Sequence, residues 1–106
     1  MFEELYAHNS KAQYIQSVLL ERSAQQKINL TLVMVDYPFG EDDKRLEIRF
    51  YDVRELKLDD ISVLCEMLIN IEDISDRKWE NCSYKVTELE EDAFSFYCGE
   101  IEYMYY

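Results

Sequence analysis

Residues 94–106 read FSFYCGEIEYMYY, and six of these thirteen residues are Phe or Tyr. Successive side chains of a β-strand point to opposite faces. Phe94, Phe96 and Cys98 share one face, but Ile101, Tyr103 and Tyr105 have the opposite parity. Gly99 lies at the change, and glycine adopts a bulge at low cost. The stretch therefore predicts a strand that buries its phenylalanines, bends at Gly99 and continues with the second set inward. The residues predicted to face outward after the bend are Glu100, Glu102, Met104 and Tyr106.

Two earlier segments show the same alternation of apolar and polar residues. Residues 28–34 alternate from Ile28 to Met34, and Leu46, Ile48 and Phe50 share one face of the next segment. Between them lies YPFGEDDK (37–44), with the only proline and one of two glycines of the chain. Period-two alternation on both sides of a turn-forming loop predicts an antiparallel hairpin.

Further strands follow from residue 53 onward. The apolar parity shifts at Val53, Leu56 and Leu58, which predicts a bulge or corner between Asp52 and Glu55. Apolar residues at the odd positions 61–71 predict a strand, with a helix as the alternative. Residues 83–86 and 93–98 predict a second hairpin, turned by the acidic ELEED at 88–92.

The segment 10–26 fits two structures. Ser10 and Gln13 have the spacing of a capping box, and Ile15 and Leu19 have helical spacing. The same residues, with Ser17 between them, also alternate as a first strand would. The predicted fold is a single domain, 1–106, that is mainly β, with α+β as the alternative. We expect an antiparallel sheet or meander of about five to seven strands, with 10–26 either a helix or a first strand.

Composition excludes several functional classes. The chain has 23 acidic and 11 basic residues, a formal net charge of −12, which disfavours nucleic acid as a partner. No signal peptide and no apolar run long enough to cross a membrane is visible, so we expect a cytoplasmic protein without a membrane partner. The odd number of cysteines, Cys65, Cys82 and Cys98, indicates reduced, structural thiols.

The sequence offers little for catalysis. His8 is the single histidine, and the cysteine spacing matches no zinc motif. Two glycines cannot form a phosphate-binding loop. We therefore predict a protein that is not an enzyme, without catalytic residues, cofactor or metal.

Binding is better supported. The last 21 residues contain six acids and no base, interleaved with aromatic residues, and tyrosine is enriched in interface cores. A surface of this charge attracts a basic protein. We predict a basic protein partner, and a homodimer through the C-terminal strand as a further association. The predicted partner-binding residues are Glu88, Glu90, Glu91, Asp92, Glu100, Glu102 and Tyr106.

The apolar spacing also carries a family resemblance. HNS (8–10) is followed by the apolar hairpin, by the spaced residues from Leu46 to Leu58, and by Phe-Tyr-Cys at 96–98. This arrangement resembles small bacterial proteins grouped with the immunity proteins of polymorphic toxin systems. In those proteins an HDS-like tripeptide often precedes the first strand, and here Asn9 replaces the acid. The resemblance implies a β-rich cytoplasmic domain that neutralises a toxin by occluding its active site.

The leading functional hypothesis is therefore a non-catalytic immunity or inhibitor protein that binds a basic toxin or nuclease through an acidic and aromatic surface. Two alternatives stay open from the sequence. One is a self-associating structural module, and the other is a nucleic-acid mimic that acts on a DNA-handling enzyme.

Overall fold

The computed structural model describes residues 2–36, 44–62, 66–78 and 82–106. These residues form eight strands, one α-helix and a short 3-10 turn (Ser75–Arg77). The strands are all paired antiparallel, so the prediction of a mainly β antiparallel fold is confirmed, with eight strands rather than five to seven. The elements are α1 (Glu3–Asn9), β1 (Tyr14–Arg22), β2 (Ile28–Val35), β3 (Arg45–Tyr51), β4 (Arg54–Leu58), β5 (Ile69–Asp73), β6 (Tyr84–Glu88), β7 (Phe94–Cys98) and β8 (Glu100–Tyr105).

The strands form two four-stranded sheets. Sheet 1 has the order β1-β2-β3-β8, and sheet 2 has the order β4-β7-β6-β5. The hairpin of β2 with β3 and the hairpin of β6 with β7 are confirmed. Of the loop predicted at 37–44, residues 37–43 lie outside the described residues.

One bent ribbon connects the two sheets. β3 pairs with β8 and β4 pairs with β7, so the segment 45–58 runs antiparallel to the segment 94–105. Tyr51 pairs with Glu100 on one side of the bend, and Arg54 pairs with Tyr97 on the other. Both segments of the ribbon therefore pass from one sheet to the other at the same position, between these two pairs. The predicted corner after Asp52 and the predicted bend at Gly99 are two halves of this feature.

The backbone at the bend is held by hydrogen bonds. The Gly99 N–H donates to the Tyr51 carbonyl (2.8 Å), and the Val53 N–H donates to the Ile28 carbonyl (2.7 Å). Asp52 has a positive φ of 56°, a conformation that aspartate adopts more readily than most residues. The bend thus satisfies its backbone groups while it redirects both strands.

The core lies between the inner faces of the two sheets. Phe50 from β3 and Phe96 from β7 meet edge to face with ring centroids 4.8 Å apart. Phe94, Phe96 and Cys98 are buried, as their parity predicts, and Glu100, Glu102, Met104 and Tyr106 are exposed. The other residues of the core cluster are mostly inward positions of the strands: Leu5, Ala12, Leu30, Leu32, Met34, Leu46, Ile48, Val53, Met67, Ile69, Ile71, Val86 and Ala93.

Of the two structures left open for the segment 10–26, the first strand is the one that forms, as β1 (Tyr14–Arg22), and a helix forms earlier, at Glu3–Asn9. Strand geometry prevails because β1 pairs with β2 from Tyr14 to Arg22, with a bulge after Ile15. The strand predicted for residues 61–71 is confirmed for 69–71, which lie in β5, and is wrong for 61, 62 and 66–68. The Asp60 carboxylate instead accepts the Ser62 N–H (3.0 Å), and the Met67 N–H donates to the Gln13 carbonyl (2.8 Å). Residues 63–65 lie outside the described part of the chain.

Asn9 joins α1 to sheet 2. Its side chain is only 1% exposed, and its Nδ2 donates to the carbonyls of Ala12 (3.0 Å) and Met67 (3.2 Å). Its Oδ1 accepts the Ile69 N–H (2.8 Å) at the free edge of β5. The Tyr6 hydroxyl accepts the Ile71 N–H (3.1 Å) and donates to the Ile71 carbonyl (3.3 Å). Two side chains of α1 thus replace a neighbouring strand along this edge.

Glu88 holds the turn between β6 and β7. Its carboxylate is 2% exposed and accepts four backbone N–H groups. The donors are Leu68 (3.1 Å), Glu90 (2.7 Å), Glu91 (2.6 Å) and Ala93 (3.2 Å). Burial raises the pKa of Glu88, but the four N–H donors outweigh it, so the pKa lies below its ordinary value of 4.5. The turn is therefore built around an ionised carboxylate.

We predict that Asn9→Asp destabilises the fold. At pH 7 a carboxylate at this site would lose both donors and face two carbonyl oxygens, at a cost of about 2–4 kcal/mol in the free energy of unfolding. Urea denaturation measures this loss, with Ser10→Ala at an exposed position as the control. Protonation restores one donor, so the deficit should shrink as the pH falls toward 4. A loss below about 0.5 kcal/mol at pH 7 would contradict the role assigned to Asn9.

Glu88→Gln should also destabilise the fold at pH 7, by about 1–3 kcal/mol, because an amide offers only one oxygen to four donors. Because the folded pKa is depressed, the contribution of Glu88 is complete above pH 4.5 and is lost as the pH falls through the folded pKa. The difference between wild type and variant should therefore narrow below pH 4.5, measured by urea denaturation at several pH values. Glu90→Gln, at an exposed position of the same turn, should show neither effect.

Candidate functional site

The outward side chains of β3 and β8 form a continuous surface at one end of sheet 1. Direct cross-strand pairs place Arg49 beside Glu102 and Glu47 beside Met104. Side chains of directly opposed residues lie on the same face of a sheet. We call this surface the C-terminal face, and it consists of Glu47, Arg49, Tyr51, Glu100, Glu102, Met104 and Tyr106.

Polar contacts fix the side chains of this face. The Arg49 guanidinium forms an ion pair with the Glu47 carboxylate (2.9 Å). The Tyr51 hydroxyl donates to the Glu102 carboxylate (2.9 Å), and the Tyr106 hydroxyl donates to the Glu47 carboxylate (3.4 Å). Both strands are therefore linked through side chains as well as through the backbone, which limits the entropy that a binding partner would have to remove.

The same contacts raise the pKa values of Tyr51 and Arg49. The hydrogen bond to Glu102 raises the pKa of Tyr51, and partial burial adds to this effect. Hydrogen bonding to Tyr51 and the charge of Glu47 raise the pKa of Arg49. The Tyr51 hydroxyl thus keeps its proton and the Arg49 guanidinium keeps its charge around pH 7.

Apolar side chains stand among these polar groups. Met104 is 56% exposed and Tyr106 is 53% exposed. Leu19 of β1, also exposed, lies on the same side of the sheet, because Leu19 pairs with Thr31 and Thr31 pairs with Arg49. Tyr, Met and Arg are enriched in the cores of protein interfaces relative to other surface. The C-terminal face has this composition.

A polar cleft adjoins the face at the bend of the ribbon. It has a volume of about 470 Å³ and shares Tyr51 and Glu100 with the C-terminal face. Asp52, one of its lining residues, is already paired with Lys27 (3.9 Å) and Arg54 (3.3 Å). The cleft therefore offers the exposed carboxylate of Glu100 and several neutral hydrogen-bonding groups, and it extends the polar surface toward sheet 2.

The structure separates the residues that the sequence predicted as one partner-binding set. Glu100, Glu102 and Tyr106 are exposed on the C-terminal face. Glu90, Glu91 and Asp92 are exposed in the turn before β7, at the far end of sheet 2. The five residues of β7 lie between the two groups, about 17 Å along the strand. The two clusters are thus separate surfaces, and a partner role for either stays a prediction.

Glu88 belongs to neither surface, because its carboxylate is buried under the four N–H donors of the turn. Sequence reasoning missed Glu47, Arg49 and Tyr51 as members of the face. Their outward direction followed from the alternation at 45–50, but nothing in the sequence showed that β3 lies beside β8.

His8, Cys82 and Cys98 pack against other residues of the fold. His8, in α1, stacks on Tyr105 of β8 with ring centroids 4.0 Å apart. Cys82 and Cys98 are free and buried, and burial raises the pKa of Cys98 to about 12, so this thiol stays protonated at neutral pH. Cys65 lies outside the described residues.

The chain was compared with family models, curated proteins and solved structures. The family model described as Immunity protein PIM8 matches residues 1–104, nearly the whole chain. No curated protein and no solved structure gives a significant match. Within the described ranges, no helix has the length and apolar character needed to cross a membrane.

Proposed function

Since the chain belongs to the immunity protein PIM8 family, we propose that it confers immunity by binding a toxin and covering its active site with the C-terminal face. The observation that carries this proposal is the combination of fixed polar groups with exposed apolar side chains on one surface. The Tyr51–Glu102 and Glu47–Arg49 contacts order the polar groups, and Met104 and Tyr106 supply apolar contact area. In this proposal the protein acts by occupancy and catalyses no reaction.

The charge of the chain favours a basic toxin. A net charge of −12 raises the rate at which a positively charged protein encounters this surface. Glu100 and Glu102 are exposed on the same side of β8 as Met104, and such exposed charges influence the encounter rate and orientation more than the final affinity. The proposal places the protein in the bacterial cytoplasm, which agrees with the free thiols of Cys82 and Cys98.

The positions of the described acids do not favour a nucleic-acid mimic. A mimic would need carboxylates spaced along one face as phosphates are along a strand. The exposed acids instead lie on α1, on both sheets and in several turns, as Glu3, Glu21, Asp59, Glu72 and Glu90 illustrate. Some carboxylates of the C-terminal face are also paired within the chain, Glu47 with Arg49 for example.

Charge reversal on the two predicted clusters tests the proposal. The double variant Glu100→Lys/Glu102→Lys should weaken toxin binding by about tenfold or more, because it repels a basic partner from the C-terminal face. The matched control Glu90→Lys/Glu91→Lys makes the same change of net charge in the β6–β7 turn and should weaken binding by no more than about threefold. The binding partner in this experiment is the toxin against which the chain would protect, and isothermal titration calorimetry at low and high salt gives both affinities.

The outcomes separate the site from the function. If only Glu90→Lys/Glu91→Lys loses toxin binding, the binding site lies at the β6–β7 turn instead of the C-terminal face, and the immunity role still holds. A wild-type chain that neither binds the toxin at low salt nor protects cells that express it would overturn the proposed function.

A further inference from the structure

β8 is an edge strand of sheet 1. It pairs with β3 on one side, and in the described part of the chain no other strand pairs with it. An exposed edge strand presents a row of backbone donors and acceptors that can pair with another chain. We propose that two copies of this chain associate through β8, as antiparallel neighbours in a register centred on Tyr103.

The backbone groups that face this edge follow from the pairing with β3. Tyr106 and Arg45 exchange both backbone hydrogen bonds, with the Tyr106 N–H donating over 2.9 Å. In an antiparallel pair, hydrogen-bonded and non-hydrogen-bonded positions alternate. Met104 and Glu102 therefore direct their backbone groups toward β3. The N–H and C=O groups of Ile101, Tyr103 and Tyr105 point toward the free edge.

Among the described residues, the fold covers the equivalent edge of sheet 2 with hydrogen bonds to the strand backbone, whereas the contacts found at the β8 edge are between side chains. Tyr6 and Asn9 of α1 hydrogen-bond to the backbone of β5, as described above. Contacts between α1 and β8 include the hydrogen bond of the Tyr103 hydroxyl to the Glu4 carboxylate (3.5 Å) and the His8–Tyr105 stack. These contacts lie on the inner side of β8 and use no backbone group of the strand.

The sequence of β8 is compatible with itself in the proposed register. Tyr103 would lie opposite Tyr103 of the second copy, and Ile101 opposite Tyr105, so all three edge-facing residues find a partner. On the outer side, Glu102 would lie opposite Met104, and Glu100 opposite Tyr106. No carboxylate then faces a carboxylate. Moving the two-fold axis to Ile101 or to Glu102 would place glutamates directly opposite each other, which is destabilising.

The association should be weak and should respond to salt in an informative way. A pair of six-residue strands buries less surface than a stable dimer normally requires. Each copy also carries a net charge of −12, so the copies repel each other. Added salt screens this repulsion and should strengthen the dimer. Binding of a basic toxin should instead weaken with salt, and the two associations are therefore separable.

Substitutions of Met104 test the register. Met104→Lys would face Glu102 of the second copy twice across the two-fold axis and should tighten the dimer by roughly tenfold, and Met104→Glu should weaken it by a similar factor. The exposed Leu89, in the β6–β7 turn, provides the matched controls. Leu89→Lys and Leu89→Glu make the same changes of net charge away from β8. Sedimentation equilibrium of the full chain, up to about 0.5 mM, gives the four association constants.

We expect the association constants of Met104→Lys and Met104→Glu to differ much more than those of Leu89→Lys and Leu89→Glu. The association constant of the wild-type chain should increase with salt. Equal constants for Met104→Lys and Leu89→Lys, or a Met104→Lys variant that stays monomeric at every concentration, would overturn the inference. Thermal unfolding of each variant reports any change in the contact of residue 104 with Glu47 inside the chain. The inference does not rest on toxin binding, so either proposal can fail without the other.

Discussion

The bend that β3–β4 and β7–β8 share is the constraint on which the architecture depends. The hydrogen bond from the Gly99 N–H to the Tyr51 carbonyl (2.8 Å) keeps the two strands paired where they leave one sheet and enter the other. Because both strands turn at the same level, each contributes inward side chains to both sheets. Phe50 precedes the bend and Phe96 precedes it on the opposite strand, and their rings meet across the core. A bend in only one strand would break the pairing and separate the two sheets.

The positions of the surfaces follow from this ribbon. The β1–β2 hairpin adds to the ribbon at β3, and the β5–β6 hairpin adds at β7, on the other strand and in the other sheet. β8 therefore stays at an edge of sheet 1, with its outward side chains beside those of β3. The helix α1 covers the free edge of β5 through Asn9 and Tyr6. Hydrogen bonds from the helix thus close the edge of sheet 2 at β5, whereas β8, which carries part of the candidate site, forms an edge of sheet 1.

The sequence predicts those features that depend on neighbours in the chain. Alternation identifies the inward residues of β2, β3, β7 and β8, and the parity change locates the bend at Gly99, because side-chain direction in a strand has a period of two. Features that depend on distant partners are not predictable in this way. β1 has the composition of a helix and becomes a strand through its pairing with β2. Glu88 resembles its exposed acidic neighbours in sequence, and only the convergence of four N–H groups explains its burial. The pairing of Arg49 with Glu102 joins residues 53 positions apart, so the extent of the C-terminal face is visible only in the fold.

Strand β8 could take part in both proposed associations, because each would rely mainly on different groups. Toxin binding would use the outward side chains of Glu102 and Met104. Self-association would use the backbone of Ile101, Tyr103 and Tyr105, and the outward side chains would set only its register. Pairing through the edge would place the outer faces of two sheets side by side, with Met104 of each copy next to Glu102 of the other. The apolar centre of the C-terminal face would then be shared by both copies. A toxin that covers this centre would contact two chains at once, and its binding would stabilise the dimer by mass action, even though the two copies repel each other in its absence.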